Sequence, residues 1–196
     1  YVLQEYPHSW WVIISIFWVF FSLILARLTP VVIVPLFFKY KKLSDEELRQ
    51  RVFSLAEKLQ LKILDVFEID FSKKTLKANA AFVGIGKSKR VILADTLKDK
   101  FNHDEIEVVL AHEFAHYKLK HIWILIFLNA LIIFGTFLLI FKTNNYILGF
   151  LGISSLLDLS AMPVIFLYFI LFGLVTQPLQ CFISRVLERQ ADRLAL

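Results

Sequence analysis

Three uncharged apolar stretches, Ser9–Ala26, Ile122–Phe141 and Leu159–Ser184, constrain this chain more than anything else in it. Each approaches or exceeds the roughly 20 residues that a helix needs to cross the hydrocarbon core of a bilayer. Residues of types AVILMFWYC make up 58% of the sequence, where a water-soluble domain has about half. Trp10, Trp11 and Trp18 sit in the first stretch, and Pro163 and Pro178 lie near the ends of the third. A cleaved signal peptide is shorter and is not followed by later spans, so the chain reads as polytopic. The expected fold is mainly α and integral to a membrane.

Lys and Arg set the orientation. Arg27, Lys39, Lys41 and Lys42 follow the first stretch, whereas Glu5 is the one charged residue before it. Between the second and third stretches Lys142 is the single basic residue, while Lys118, Lys120, Arg185, Arg189 and Arg193 flank the pair on the other side. All three spans then agree, with residues 27–121 and the tail after Ser184 on the cytosolic face. The net charge of +5 is accounted for by these flanking residues. It suits anionic lipid head groups and calls for no nucleic acid. Cys181, the lone cysteine, lies inside an apolar stretch, so neither a disulfide framework nor a cysteine metal site is expected. The chain opens on Tyr1 and closes within a helical pattern with no stop signal, which reads as part of a longer protein. Its Phe, Ile and Lys usage favours a bacterial inner membrane over that of an organelle.

Four segments follow: an N-terminal span and its connection (1–38), a cytosolic region (39–121), a transmembrane hairpin (122–184) and the start of a further helix (185–196). In the cytosolic region Ser44 and Glu47 have the spacing of a capping box ahead of the stripe Leu48, Val52, Leu55 and Leu59, predicting a helix to about Gln60. Ile63–Phe71, Ala80–Ile85 and Arg90–Ala94 read as strands, the last two joined by a Gly-Lys-Ser turn. Asn102 and Glu105 form a second capping box, and nothing in the sequence interrupts the helix they open before the second span. "AFVGIGKS" (Ala81–Ser88) fits a relaxed phosphate-binding pattern. A phosphate loop must open a helix, and the residues after Lys87 follow a strand pattern instead, so no nucleotide is expected.

The helix opened by Asn102 carries His112-Glu113-Phe114-Ala115-His116. Histidines four apart stack on one helix face and can reach a single Zn²⁺ at about 2.0–2.1 Å, with Glu113 beside them as a general base for an attacking water. A catalytic zinc takes three protein ligands. A histidine six residues beyond the pair is absent, since that position is Ile122, and the sequence immediately after it offers no carboxylate. Asp158 falls across the membrane. Glu188 lies four residues past the third span, on the face to which the hairpin returns the chain, and is the expected third ligand. Asp192, one turn further, is placed to accept the outer N–H of a ligating histidine.

"KANAAFVGIGKSKRVILADTL", "HEFAH" and "SRVLERQAD" together resemble the zinc-dependent CAAX prenyl proteases and their bacterial membrane metalloprotease relatives, over most of the chain from about Pro30. The resemblance implies a cytosolic α+β zincin-like domain whose metal helices continue into the membrane hairpin. It implies one Zn²⁺ per chain held by His112, His116 and Glu188, with Glu113 as catalytic base and Asp192 behind a ligand. Asn79 and Ala80 correspond to a strand edge beside the active site that pairs with an extended peptide or protein substrate, lipidated or membrane-bound. Heat-shock-type membrane proteases share both zinc motifs and remain an alternative. So does a non-catalytic zinc-stabilised scaffold, which would have no use for Glu113. An intramembrane protease of the site-2 type would need Asp-Gly within a span, and "LLDLS" lacks the glycine.

Overall fold

The computed structural model describes residues 2–29, 32, 36, 40–70, 72, 80–83 and 90–196. Its helices are α1 (Val2–Glu5), α2 (Trp10–Leu28), α3 (Glu46–Lys58), α4 (Asp95–Lys100), α5 (His103–Lys118), α6 (His121–Phe150) and α7 (Met162–Ala195). Its strands are β1 (Tyr40–Lys42), β2 (Asp65–Ile69), β3 (Ala80–Val83) and β4 (Arg90–Ala94). The chain divides into two compact units, Tyr1–Ile24 with Trp123–Ser184, and Leu25–Ile122 with Arg185–Leu196. α6 and α7 each contribute to both.

In the first unit Trp10, Ile133, Phe137, Ile140, Val164 and Tyr168 form a buried cluster. Most other apolar residues of these helices face outward, among them Phe17, Phe20, Trp123, Phe127, Phe166 and Val175. Such exposure would drive aggregation in water and suits contact with acyl chains. α2, α6 and α7 are the three helices among the described residues that are long and apolar enough to cross a bilayer. Pro163 stands in the first turn of α7, where no donor is needed, whereas Pro178 lies within it. Two residues earlier, Thr176 donates its hydroxyl to the carbonyls of Phe172 and Gly173, and Gln180 donates its amide back to Thr176. Gly135 lets α6 approach Phe172 closely, since a Cβ there would stand 2.8 Å from the ring.

The second unit is built on a sheet of order β1-β2-β4-β3. β2 and β4 pair in parallel at its centre, and β1 and β3 run antiparallel at the edges. β4 is buried from Val91 to Ala94, as a central strand covered on both faces should be. Leu48, Val52 and Leu55 of α3 share one core with Val66, Val91, Leu93 and with Ile106, Leu110 and Phe114 of α5. Asp65, nearly buried at the start of β2, is closed by Arg49 and Lys42, each 3.2 Å away.

Two local expectations are corrected. The N-cap of α3 is Asp45, whose carboxylate accepts the Leu48 N–H at 3.0 Å, not Ser44. A carboxylate one residue further along both caps and complements the positive helix terminus. Asn102 and Glu105 do form the reciprocal box that opens α5. That helix does not run on unbroken towards the second span: it ends at Lys118, and Lys120 adopts the left-handed conformation at φ 57° before α6 begins. α7, by contrast, carries the third span and Glu188 in one continuous helix. The Gly-Lys-Ser turn lies outside the described residues; Arg90–Ala94 after it is the strand expected.

Candidate metal centre

α5 buries Ile106, Leu110, Ala111, Phe114 and Ala115. The positions next to this stripe, His112, Glu113 and His116, are thereby left half-buried at the rim of the core. The end of α7 obeys the same logic. Leu187 and Ala191, one turn apart, are buried. Their neighbours Glu188 and Asp192 are therefore brought, also one turn apart, to the two histidines.

The ligand atoms converge. His112 Nε2 lies 3.0 Å from His116 Nε2 and 3.1 Å from Glu188 Oε2, and His116 Nε2 lies 3.4 Å from the same oxygen. Among the described residues these three side chains form the group able to hold a metal ion. Tetrahedral coordination with arms of about 2.0–2.1 Å requires ligand atoms about 3.3 Å apart, close to these separations. Two imidazole nitrogens and a carboxylate oxygen are also the donor types that zinc takes, so the set fits the ion.

The proton positions agree with that use. His112 Nδ1 lies 2.9 Å from Asp192 Oδ1. A carboxylate only accepts, so Nδ1 carries a proton, and a neutral ring protonated there turns its Nε2 lone pair to the centre. Glu113 does not join the ligand triangle. Its burial, the largest influence, raises its carboxyl above the ordinary range; the two imidazoles pull it down and Glu188 pushes it up again. A carboxylate held this way is a stronger base than one in water.

Ala80, the first residue of β3, is buried and pairs with Leu93 of β4. β3 is an edge strand that packs against α5. Asn79 lies outside the described residues. Two residues of the cluster were invisible to the sequence reading. His121, 2% exposed, places Nδ1 2.9 Å from His116 Nδ1 and Nε2 3.2 Å from Gln190 Oε1. The available signal was a third histidine five residues after His116, at the boundary of an apolar span.

A profile of peptidase family M48 matches residues 42–196, from the last residue of β1 through both candidate ligand segments to the end of the chain. The chain belongs to peptidase family M48. It is 30% identical to the metalloprotease YhfN of Bacillus subtilis over 98% of this chain and 46% of that protein. It is 33% identical to CAAX prenyl protease 1 of Saccharomyces cerevisiae over 99% of this chain and 47% of that one. The crystal structure of Ste24p from S. mikatae superposes with a TM-score of 0.79 at 31% identity, covering 99% of this chain and 49% of that structure. The chain thus spans about half the length of the relatives it matches, and shares with them a membrane protein fold.

Proposed function

We propose that this chain is the catalytic portion of an integral-membrane zinc endopeptidase. The observation that carries the reading is the convergence of His112, His116 and Glu188 to within 3.4 Å, with Glu113 on the same helix as the histidines. One zinc ion per chain would be held by these three residues and, when bound, would supply Lewis-acid chemistry for a scissile carbonyl and an attacking water. Glu113 accepts a proton from the attacking water and returns it to the leaving amine. Asp192 holds His112 with its lone pair inward. β3, starting at Ala80 and preceded by Asn79, is an edge strand among the described residues, and along it a peptide would lie extended beside α5.

The basic residues beside the spans support a cytosolic active site. The match to a Bacillus metalloprotease, over 98% of this chain and 46% of that protein, supports a bacterial inner membrane. The matches to CAAX prenyl proteases support a lipidated or membrane-bound substrate, with quality-control proteolysis of membrane proteins as the second reading.

The test uses the full-length parent protein, purified in detergent with zinc and given a mixed peptide library together with prenylated and unprenylated forms of one peptide. Wild type is expected to cleave, and Glu113→Gln to lose at least about a hundredfold in rate while retaining zinc. Equal cleavage by both proteins would remove Glu113 from the chemistry. Cleavage confined to the prenylated form would favour the lipidated substrate.

A further inference from the structure

We infer that His121 and Gln190 are positioning residues for the metal centre, fixing the tautomer and ring orientation of His116 as Asp192 does for His112. The inference rests on the metal-site reading above and extends it to residues outside the ligand and base set.

The argument is proton bookkeeping along one chain of contacts. Gln190 Oε1 is an acceptor only, so His121 Nε2, 3.2 Å away, carries a proton and donates it. A neutral imidazole protonated there has its lone pair on Nδ1. That atom lies 2.9 Å from His116 Nδ1, which must therefore be the donor. His116 Nε2 is then left with a lone pair, and it is the atom 3.0 Å from His112 Nε2 and 3.4 Å from Glu188 Oε2. The opposite polarity, with the amide donating, would put a proton on His116 Nε2 and prevent ligation. Only one direction of the chain is compatible with a bound metal.

Burial and backbone both support a built arrangement. His121 is 2% exposed, and a buried imidazole must satisfy both nitrogens. Here both are satisfied within the cluster. The ring is delivered by the two-residue turn between α5 and α6, in which Lys120 takes a left-handed conformation that costs a non-glycine residue about 1 kcal/mol. A continuous helix would put position 121 on a different face from His116, because residues five apart on an α-helix do not stack. Gln190 stands between Glu188 and Asp192 on α7, so that short stretch supplies a ligand and both outer partners.

The consequence is an asymmetric site. His112 is backed by an anion and His116 by a neutral ring, which would limit the negative charge gathered around a bound ion.

The test measures zinc affinity of the full-length protein by competition with a chelator of known strength, alongside metal content and the melting temperature of the zinc-free form. His121→Phe, which keeps bulk but removes the acceptor, is expected to weaken zinc binding 10–100-fold. His121→Asn, whose amide oxygen occupies roughly the place of Nδ1, should recover most of that loss. At the exposed position 190, Gln190→Met should weaken binding, and Gln190→Glu, an obligate acceptor, should keep it or tighten it. If His121→Phe does not fold, the pair at 190 decides by itself. Zinc affinity within twofold of wild type in His121→Phe or Gln190→Met would overturn the inference. So would His121→Asn proving as weak as His121→Phe, since that marks a loss of packing alone. His112→Ala is the control: zinc binding that survives it would sink the metal-site reading itself, and this inference with it.

Discussion

At the scale of single residues, the chemistry rests on how a few polar groups are held at the rim of an apolar core. Asp192 orients His112 from outside, so Asp192→Asn should lower zinc affinity by about 10–100-fold and leave the fold intact, as a chelator titration with circular dichroism would read. Asp65 has a purely structural part. Burial pushes its carboxyl up, but the Val66 N–H, Lys42 and Arg49 outweigh burial and hold it below the ordinary carboxylate range. A depressed folded-state value adds stability that is present above the unfolded value and lost as pH falls through the folded one. The melting temperature should therefore fall with acidification below about pH 4, and less steeply in Asp65→Asn.

At the scale of elements, each helix that matters is defined by its ends. Asp45 caps α3 and also meets His103 Nε2 at 3.0 Å, tying the start of α3 to the start of α5. Asp45→Ala should destabilise the protein by about 1 kcal/mol, measured by thermal or denaturant unfolding in detergent, whereas Ser44→Ala should change little. The second capping box was legible because Asn102 and Glu105 have side chains that can reciprocate over three residues. The first was misplaced by one residue because Ser44 and Asp45 are both good caps, and the choice depends on which backbone amide points where. The turn at Leu119–Lys120 had no sequence signal at all. A left-handed residue is normally announced by glycine or asparagine, and here a lysine adopts it.

At the scale of the molecule, the proposed zinc would join residues that lie far apart in the chain, since His112 and Glu188 stand 3.1 Å apart. A metal that binds the folded state alone stabilises it by mass action, about 2.7 kcal/mol at a hundredfold excess over its dissociation constant. Chelation should therefore lower the melting temperature of wild type and leave that of His112→Ala unchanged. An equal response in both would mean that the chelator acts elsewhere.

The three spans, the helix carrying the histidine pair and the strands at Asp65–Ile69 and Arg90–Ala94 were written in periodicity and composition. They are one-dimensional properties: a long uncharged run must make its hydrogen bonds within itself in a bilayer, and alternation or helical spacing decides which side a residue faces. The candidate ligands were legible because ligand chemistry restricts residue type and spacing, and the order of spans narrowed the choice of a third to Glu188, which the fold brings beside His112 and His116. What only the tertiary structure decided was the surroundings of those residues. Glu113 rises above its ordinary range because of burial, and His121 and Gln190 matter because a turn and a distant helix end bring them to His116. Hydrogen-bond direction and desolvation depend on atoms a few ångströms apart in space, and residues 121 and 190 become neighbours only once the chain has folded.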